Sequence, residues 1–100
     1  MQKVEPDAIA KIRFYSTSEG GRHGPTPENY LGCIFEYQNE NFECRLLLSD
    51  VGSIVPGAEV TVPIKFLYSG LIRPRLRVGD KFSLRELHRI GEGEITSVYS

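Results

Sequence analysis

The run 19–25 has the residue types best suited to binding another molecule. Two adjacent glycines, Gly20 and Gly21, precede a guanidinium and an imidazole, those of Arg22 and His23. Paired glycines permit positive φ angles and predict an exposed loop. Arg22 offers a planar fork to phosphate or carboxylate, and His23 adds a ring that can stack or hydrogen-bond. The alternative is structural: the glycines only reverse the chain, and Arg22 binds local carbonyl groups.

A second group of cations comes later in the chain. Arg73, Arg75 and Arg77 alternate along the run 71–78, which we predict to be an extended connection with the three arginines on one side. Such a ridge would suit an RNA backbone or an acidic partner. The alternative is a solvated face whose arginines pair with nearby carboxylates at small energetic gain.

The sequence lacks the patterns that catalysis requires. No glycine loop is followed by the Lys and Ser or Thr of a phosphate-binding loop, so nucleotide binding is not predicted. The histidines, His23 and His88, fall in separate turn regions without metal-ligand spacing. No serine has a nucleophile-elbow sequence around it. We therefore predict no enzymatic activity, no cofactor and no metal.

Composition narrows the class further. One hundred residues suit a single domain, and we assign residues 1–7 to an N-terminal tail and 8–100 to that domain. Twelve basic and thirteen acidic residues give a formal net charge of −1, which excludes the broad positive field of a dedicated nucleic-acid binder. No apolar run approaches the roughly 20 residues of a membrane span. The first seven residues lack the apolar core of a secretory signal, so we predict a cytoplasmic protein.

The two cysteines are too few for a disulfide framework. If a hairpin turns at Gln38-Asn39, Cys33 and Cys44 lie opposite each other on neighbouring strands. They could then pair under oxidising conditions, but two reduced, packed thiols are the favoured interpretation.

Alternation of apolar and polar residues predicts six strands, with no helical periodicity of useful length. The predicted strands are 8–17, 30–37, 42–49, 58–68, 81–86 and 94–99, with a turn-rich segment at 88–93. Pro56-Gly57 suits the centre of a type II turn, and Pro63 implies a sheet edge, a bulge or an unpaired position within its strand. We predict an all-β fold whose antiparallel strands close into a barrel, because closure removes vulnerable edges.

Three stretches together resemble the C-terminal β-barrel domain of translation elongation factor Tu, over about 8–98. The most specific is the loop, where the family has Glu-Gly-Gly-Arg-His-Thr-Pro and this chain has the same order with Gly24 in place of Thr. Pro56-Gly57 matches the family's Pro-Gly-Asp before a long apolar strand, with Ala58 in place of Asp. A late strand and turn of the family is matched by Phe82, Leu84, Arg85, Glu86 and Arg89, with Leu87-His88 where the family has two glycines.

The resemblance implies a six-stranded Greek-key barrel. In the full factor this domain packs against a second barrel and the GTPase domain, helps to hold tRNA and contacts the nucleotide-exchange factor. Arg22 and His23 match the part of the family's barrel that approaches tRNA and the neighbouring domains.

We therefore expect a stand-alone, bacterial-type, non-enzymatic binding module. Its partner would be a protein of the translation machinery, engaged by one barrel end near Arg22, His23, Arg85 and Arg89, with the module acting as a regulator, decoy or mimic. One alternative is a tRNA- or RNA-binding module that uses the glycine loop and the arginine ridge. The other is a self-associating barrel, so the sequence leaves monomer and homodimer open.

Overall fold

The computed structural model describes residues 5–99, and residues 1–4 of the predicted tail lie outside this range. Six antiparallel strands close into a barrel in the order β1-β4-β3-β2-β5-β6. The strands are β1 Ala8–Phe14, β2 Tyr30–Tyr37, β3 Glu40–Leu47, β4 Glu59–Phe66, β5 Lys81–Arg85 and β6 Arg89–Val98. Since β2, β3 and β4 are neighbours in sequence order and β1 lies beside β4, the connection is a Greek key. The prediction of an all-β, six-stranded closed barrel is confirmed.

The alternating apolar residues fill the barrel interior, as their period of two requires. Phe35 lies at the centre, with its ring stacked on Phe82 at a centroid distance of 4.3 Å and edge-on to Phe66 at 4.9 Å. All three side chains are at most 5% exposed. The core therefore joins β2, β4 and β5 across the barrel.

Three local predictions are confirmed by backbone geometry. Gln38 and Asn39 have φ angles of +50° and +62° and form the two-residue turn between β2 and β3. Gly57 has φ +88°, and the N–H of Ala58 donates to the carbonyl of Val55 at 3.2 Å, as in a type II turn. Pro63 lies where the ladder between β3 and β4 ends, because that ladder reaches only to Ile64.

The prediction of an extended connection over 71–78 is wrong. The chain instead forms a short helix α1, Ser69–Ile72, and a 3₁₀ turn at Arg73–Arg75. The missed signal is the spacing of Ile72 and Leu76, which lie four residues apart and are both buried. Within residues 5–99 no helix is long and apolar enough to cross a membrane.

The turn predicted at 88–93 is also largely wrong, because β6 begins at Arg89. Gly91 and Gly93 lie within this strand, at points of close approach. A Cβ at Gly91 would lie 2.8 Å from the carbonyl oxygen of Arg13, and one at Gly93 would lie 2.5 Å from Cζ of Phe82. These glycines therefore make room for neighbouring atoms and do not turn the chain.

Two predicted strands extend too far. β1 ends at Phe14, since Ser16 already caps the 3₁₀ turn Thr17–Glu19. β4 ends at Phe66, and Tyr68, the last residue of the predicted strand, is 65% exposed.

Asp7 is buried against the barrel wall, although the sequence assigns it to the tail. Its carboxylate accepts a hydrogen bond from the N–H of Phe66 at 2.9 Å. The same carboxylate pairs with Lys65 at 3.4 Å and with Arg73 at 3.2 Å. One carboxylate therefore ties the end of β4 to the turn that follows α1.

Cys33 and Cys44 lie directly opposite each other on β2 and β3, and both are free thiols. Their Sγ atoms are 3.7 Å apart and both side chains are buried. The hydrogen bond with Cys33, together with burial, raises the pKa of the Cys44 thiol well above its ordinary value.

We expect neither thiol to react with iodoacetamide in the native protein at pH 8. Thiolate is the reactive species, and the raised pKa of Cys44 suppresses it at that residue. Burial shields both Sγ atoms from the reagent. Mass spectrometry should find no adduct on the native chain and two after denaturation in guanidinium chloride. Rapid modification of the native protein would contradict this account.

Candidate binding surfaces

The two ends of the barrel carry different groups. At the loop end β1, β3 and β5 finish, and the segments 15–29, 48–58 and 86–88 connect the strands. At the helix end these strands begin, and the turn 38–39 and the segment 67–80 make the connections. The antiparallel order therefore assigns each candidate residue to one end.

The glycine loop begins with a capped turn. The hydroxyl of Ser16 accepts from the N–H of Glu19, and the carboxylate of Glu19 accepts from the N–H of Ser16 at 2.9 Å. These bonds to Ser16, helped by Arg13, hold the pKa of Glu19 below its ordinary value. Gly20 then takes a left-handed conformation with φ +92°. The sequence pattern Ser-x-x-Glu thus forms a capping box.

Gly21 lies directly on the preceding strand end. A Cβ at this position would lie 2.2 Å from the carbonyl oxygen of Tyr15, which is closer than any side chain can approach. Only glycine fits here, so the second glycine of the loop has a packing role.

Arg22 is engaged within the protein. Its Nη1 pairs with the carboxylate of Glu86, its Nε donates to the carbonyl of Gly24 at 3.3 Å, and its Nη2 donates to the carbonyl of Pro25 at 3.2 Å. The Arg22 side chain is 21% exposed. The geometry thus matches the structural alternative, in which Arg22 joins the glycine loop to the β5–β6 turn.

His23, Leu87 and His88, which surround the pair formed by Arg22 and Glu86, are exposed to solvent. His23 is exposed, and Nε2 of His88 lies 3.4 Å from the carbonyl oxygen of Gly21. Leu87, between Glu86 and His88, is 97% exposed. We call residues 86–88 the Leu87 tip; its two outer residues are braced against the glycine loop while its central side chain is free.

Arg85 and Arg89 converge on one carboxylate. Nε of Arg85 lies 3.4 Å from Oε2 of Glu36, and Nε of Arg89 lies 2.9 Å from Oε1 of the same residue. Arg85 and Arg89 are also paired across the β5–β6 hairpin. Two guanidinium groups therefore share one negative charge beside the Leu87 tip.

The other three predicted arginines lie at the helix end and do not form a ridge. Arg73 binds Asp7, Arg75 binds Glu40 at 2.7 Å, and Arg77 donates to two carbonyl groups of its own turn. Burial and a hydrogen bond to Asp80 raise the pKa of Tyr37, which lies beside Arg75, to about 12, so its hydroxyl stays protonated.

The structure therefore separates the predicted site residues into two groups. Gly20, Gly21, Arg22, His23, Arg85 and Arg89 lie together at the loop end, whereas Arg73, Arg75 and Arg77 lie at the helix end.

A groove outside the barrel was not predicted. It has a volume of about 730 Å³ and is formed by residues 32–34, 43–45, 65–67 and 85–87, three from each of four neighbouring strands or strand ends. We call it the outer groove. Leu67, which is 59% exposed, and Leu87 are its apolar ends. The one sequence signal for it was Leu87 itself, an apolar residue at a turn position.

Among residues 5–99 no three His, Cys, Asp or Glu side chains are arranged to hold a metal ion. No protein-family profile matches the sequence.

Proposed function

We propose that this barrel is a non-enzymatic binding module that engages a protein of the translation machinery. In this proposal it acts as a regulator, decoy or mimic of the C-terminal barrel of elongation factor Tu. The motif resemblance at the glycine loop supports the link to translation. The surface around the Leu87 tip supports a protein as the partner.

The observation on which the proposal depends is the exposure of Leu87 on a braced tip. Burying a leucine side chain contributes about 1.5–3 kcal/mol, which corresponds to roughly a ten- to hundredfold gain in affinity. Because Arg22 holds Glu86 and the tip is a short hairpin turn, little conformational entropy would be lost on docking. A rigid apolar anchor of this kind is typical of protein–protein contacts.

In this proposal Arg22 of the glycine loop supports the binding surface and does not itself bind the partner. Arg22 acts through Glu86 to fix the tip, while His23 and Leu87 meet the partner. Arg85 and Arg89 flank the tip and supply positive charge, since together they share the single carboxylate of Glu36.

Calorimetric titration with intact elongation factor Tu, and separately with its nucleotide-exchange factor, tests the proposal. We expect binding to one of the two, at least about tenfold weaker for Leu87→Asp because the anchor is lost. Val78→Asp is the matched control, since Val78 is 68% exposed and lies at the helix end. Absence of binding to both proteins would contradict the translation link.

The same preparations decide between the other candidate functions. Retention of tRNA at low salt that disappears as salt rises would favour the RNA-binding alternative. A sedimentation equilibrium that fits a dimer, with Leu87→Asp monomeric, would favour self-association. For the function proposed here we expect a monomer without measurable tRNA retention.

A further inference from the structure

The floor of the outer groove has two rows of outward-facing residues that cross the strands. The strand register pairs Lys65 with Arg45 and Arg45 with Gly32, which makes one row across β4, β3 and β2. The next row includes Ile34, whose neighbours are Glu43 on β3 and Arg85 on β5.

Gly32 opens the middle of this floor. A Cβ at Gly32 would meet no atom within 4 Å, so glycine leaves free space between Arg45 and the Leu87 tip. A partner side chain could therefore reach the floor here without displacing any protein atom.

The groove has an excess of positive charge. Arg45 is exposed and pairs with no carboxylate among residues 5–99; its guanidinium instead lies 4.6 Å above the ring of Tyr30. Lys65 shares Asp7 with Arg73, and Arg85 shares Glu36 with Arg89.

Two carboxylates also line the groove, and they do not cancel this charge. Glu86 is paired with Arg22. Glu43 is exposed and lies in the row of Ile34, two residues along β3 from Arg45. Counting only ion pairs within residues 5–99, one free carboxylate thus faces one unpaired cation and two cations that each share a carboxylate.

The apolar ends of the groove set the length of an occupant. Leu67 and Leu87 are separated by three strand spacings of about 4.8 Å and by about two residues, or about 6.7 Å, along the strands, which together give roughly 16 Å. In an extended chain, residues i and i+4 are about 13 Å apart, and residues i, i+2 and i+4 share one face. Such a segment would bring two apolar side chains to the ends and a third side chain to the middle.

We propose that the outer groove binds an extended segment of a partner protein with the pattern apolar-x-acidic-x-apolar. The apolar side chains contact Leu67 and Leu87, and the carboxylate between them enters the space above Gly32 and pairs with Arg45. This inference rests on the proposed function and specifies what its partner presents. A protein is favoured over RNA because both ends are aliphatic. The one aromatic residue among those that line the groove, Phe66, is 2% exposed and so offers no free ring face for base stacking.

Selection from a phage-displayed library of random 12-residue peptides tests the motif without knowledge of the natural partner. The intact barrel should enrich peptides with an acidic residue flanked by apolar residues two positions away on each side. Synthetic peptides of the enriched sequence should shift the amide resonances of Gly32, Ile34 and Arg45. Arg45→Glu should weaken their binding by at least about tenfold. Lys81→Glu, at the helix end, reverses a charge of the same sign and should leave the affinity within about twofold.

Each result has a defined meaning. Failure to enrich peptides, enrichment without an acidic centre, or equal binding by wild type and Arg45→Glu would overturn the groove proposal. Amide shifts at the same residues with tRNA, in the absence of peptide enrichment, would also overturn it and would favour RNA. If the motif is enriched while both translation factors fail to bind, the groove proposal stands and the translation link fails. If a factor binds without the motif, the Leu87 tip alone makes the contact.

Discussion

Replacing Gly21 by alanine should destabilise the barrel by about 3 kcal/mol, because the added Cβ must displace backbone. The atom that it would meet, the carbonyl oxygen of Tyr15, lies only 2.2 Å from the new carbon. Tyr15 is itself fixed, since its N–H donates to the carbonyl of Ile90 at 2.9 Å. Equilibrium unfolding in urea should show a lower midpoint with an unchanged slope.

Gly24→Ala is the matched control in the same loop. A Cβ at Gly24 would meet nothing within 4 Å, so its free energy of unfolding should change by less than about 0.5 kcal/mol. Equal stabilities for the two variants would show that the loop adapts freely. The contact between Arg22 and Glu86 would then be too loose to brace the Leu87 tip.

The largest electrostatic effect is expected from Asp7→Ala, which should lower the free energy of unfolding by about 3 kcal/mol. The substitution leaves the N–H of Phe66 without its acceptor and removes the carboxylate shared by Lys65 and Arg73. These two cations are about one-third exposed, so water compensates part of their loss. The buried N–H has no such compensation.

Two further variants separate these contributions. Asp7→Asn keeps an oxygen that can accept from Phe66 and removes only the charge, so it should recover part of the lost stability. Asp50→Ala, at an exposed aspartate, should be nearly neutral. If Asp7→Ala proved as mild as Asp50→Ala, residue 7 would not anchor the turn after α1.

Regular alternation made the barrel predictable. Residues such as Ile12, Phe35 and Ile64 lie inside because their strands are half-buried and have a period of two. The same rule failed at 71–78, where alternating arginines concealed the burial of Ile72 and Leu76 at helical spacing. It also failed at Gly91 and Gly93, because local sequence does not reveal that a neighbouring strand or ring approaches closely.

The binding surfaces were less predictable because their determinants are far apart in sequence. Arg22 was identified as a binding residue, but its partner Glu86 is 64 positions away and becomes adjacent only after the barrel closes. The sequence does not distinguish Arg45 from other exposed arginines, because its lack of a carboxylate partner among residues 5–99 depends on where the acidic residues lie in the folded barrel. Leu87 stands out in the sequence only as a departure from the family pattern.

The pairing of β1 with β6 has a practical consequence. Ala8 pairs with Val98, and the N–H of Tyr99 donates to the carbonyl of Asp7 at 3.0 Å, so residues 7 and 99 are adjacent at the helix end. A short glycine linker could therefore join residues 7 and 99. Tethering to a sensor chip through residue 7 or residue 99 would leave the Leu87 tip, at the opposite end of the barrel, facing the solution.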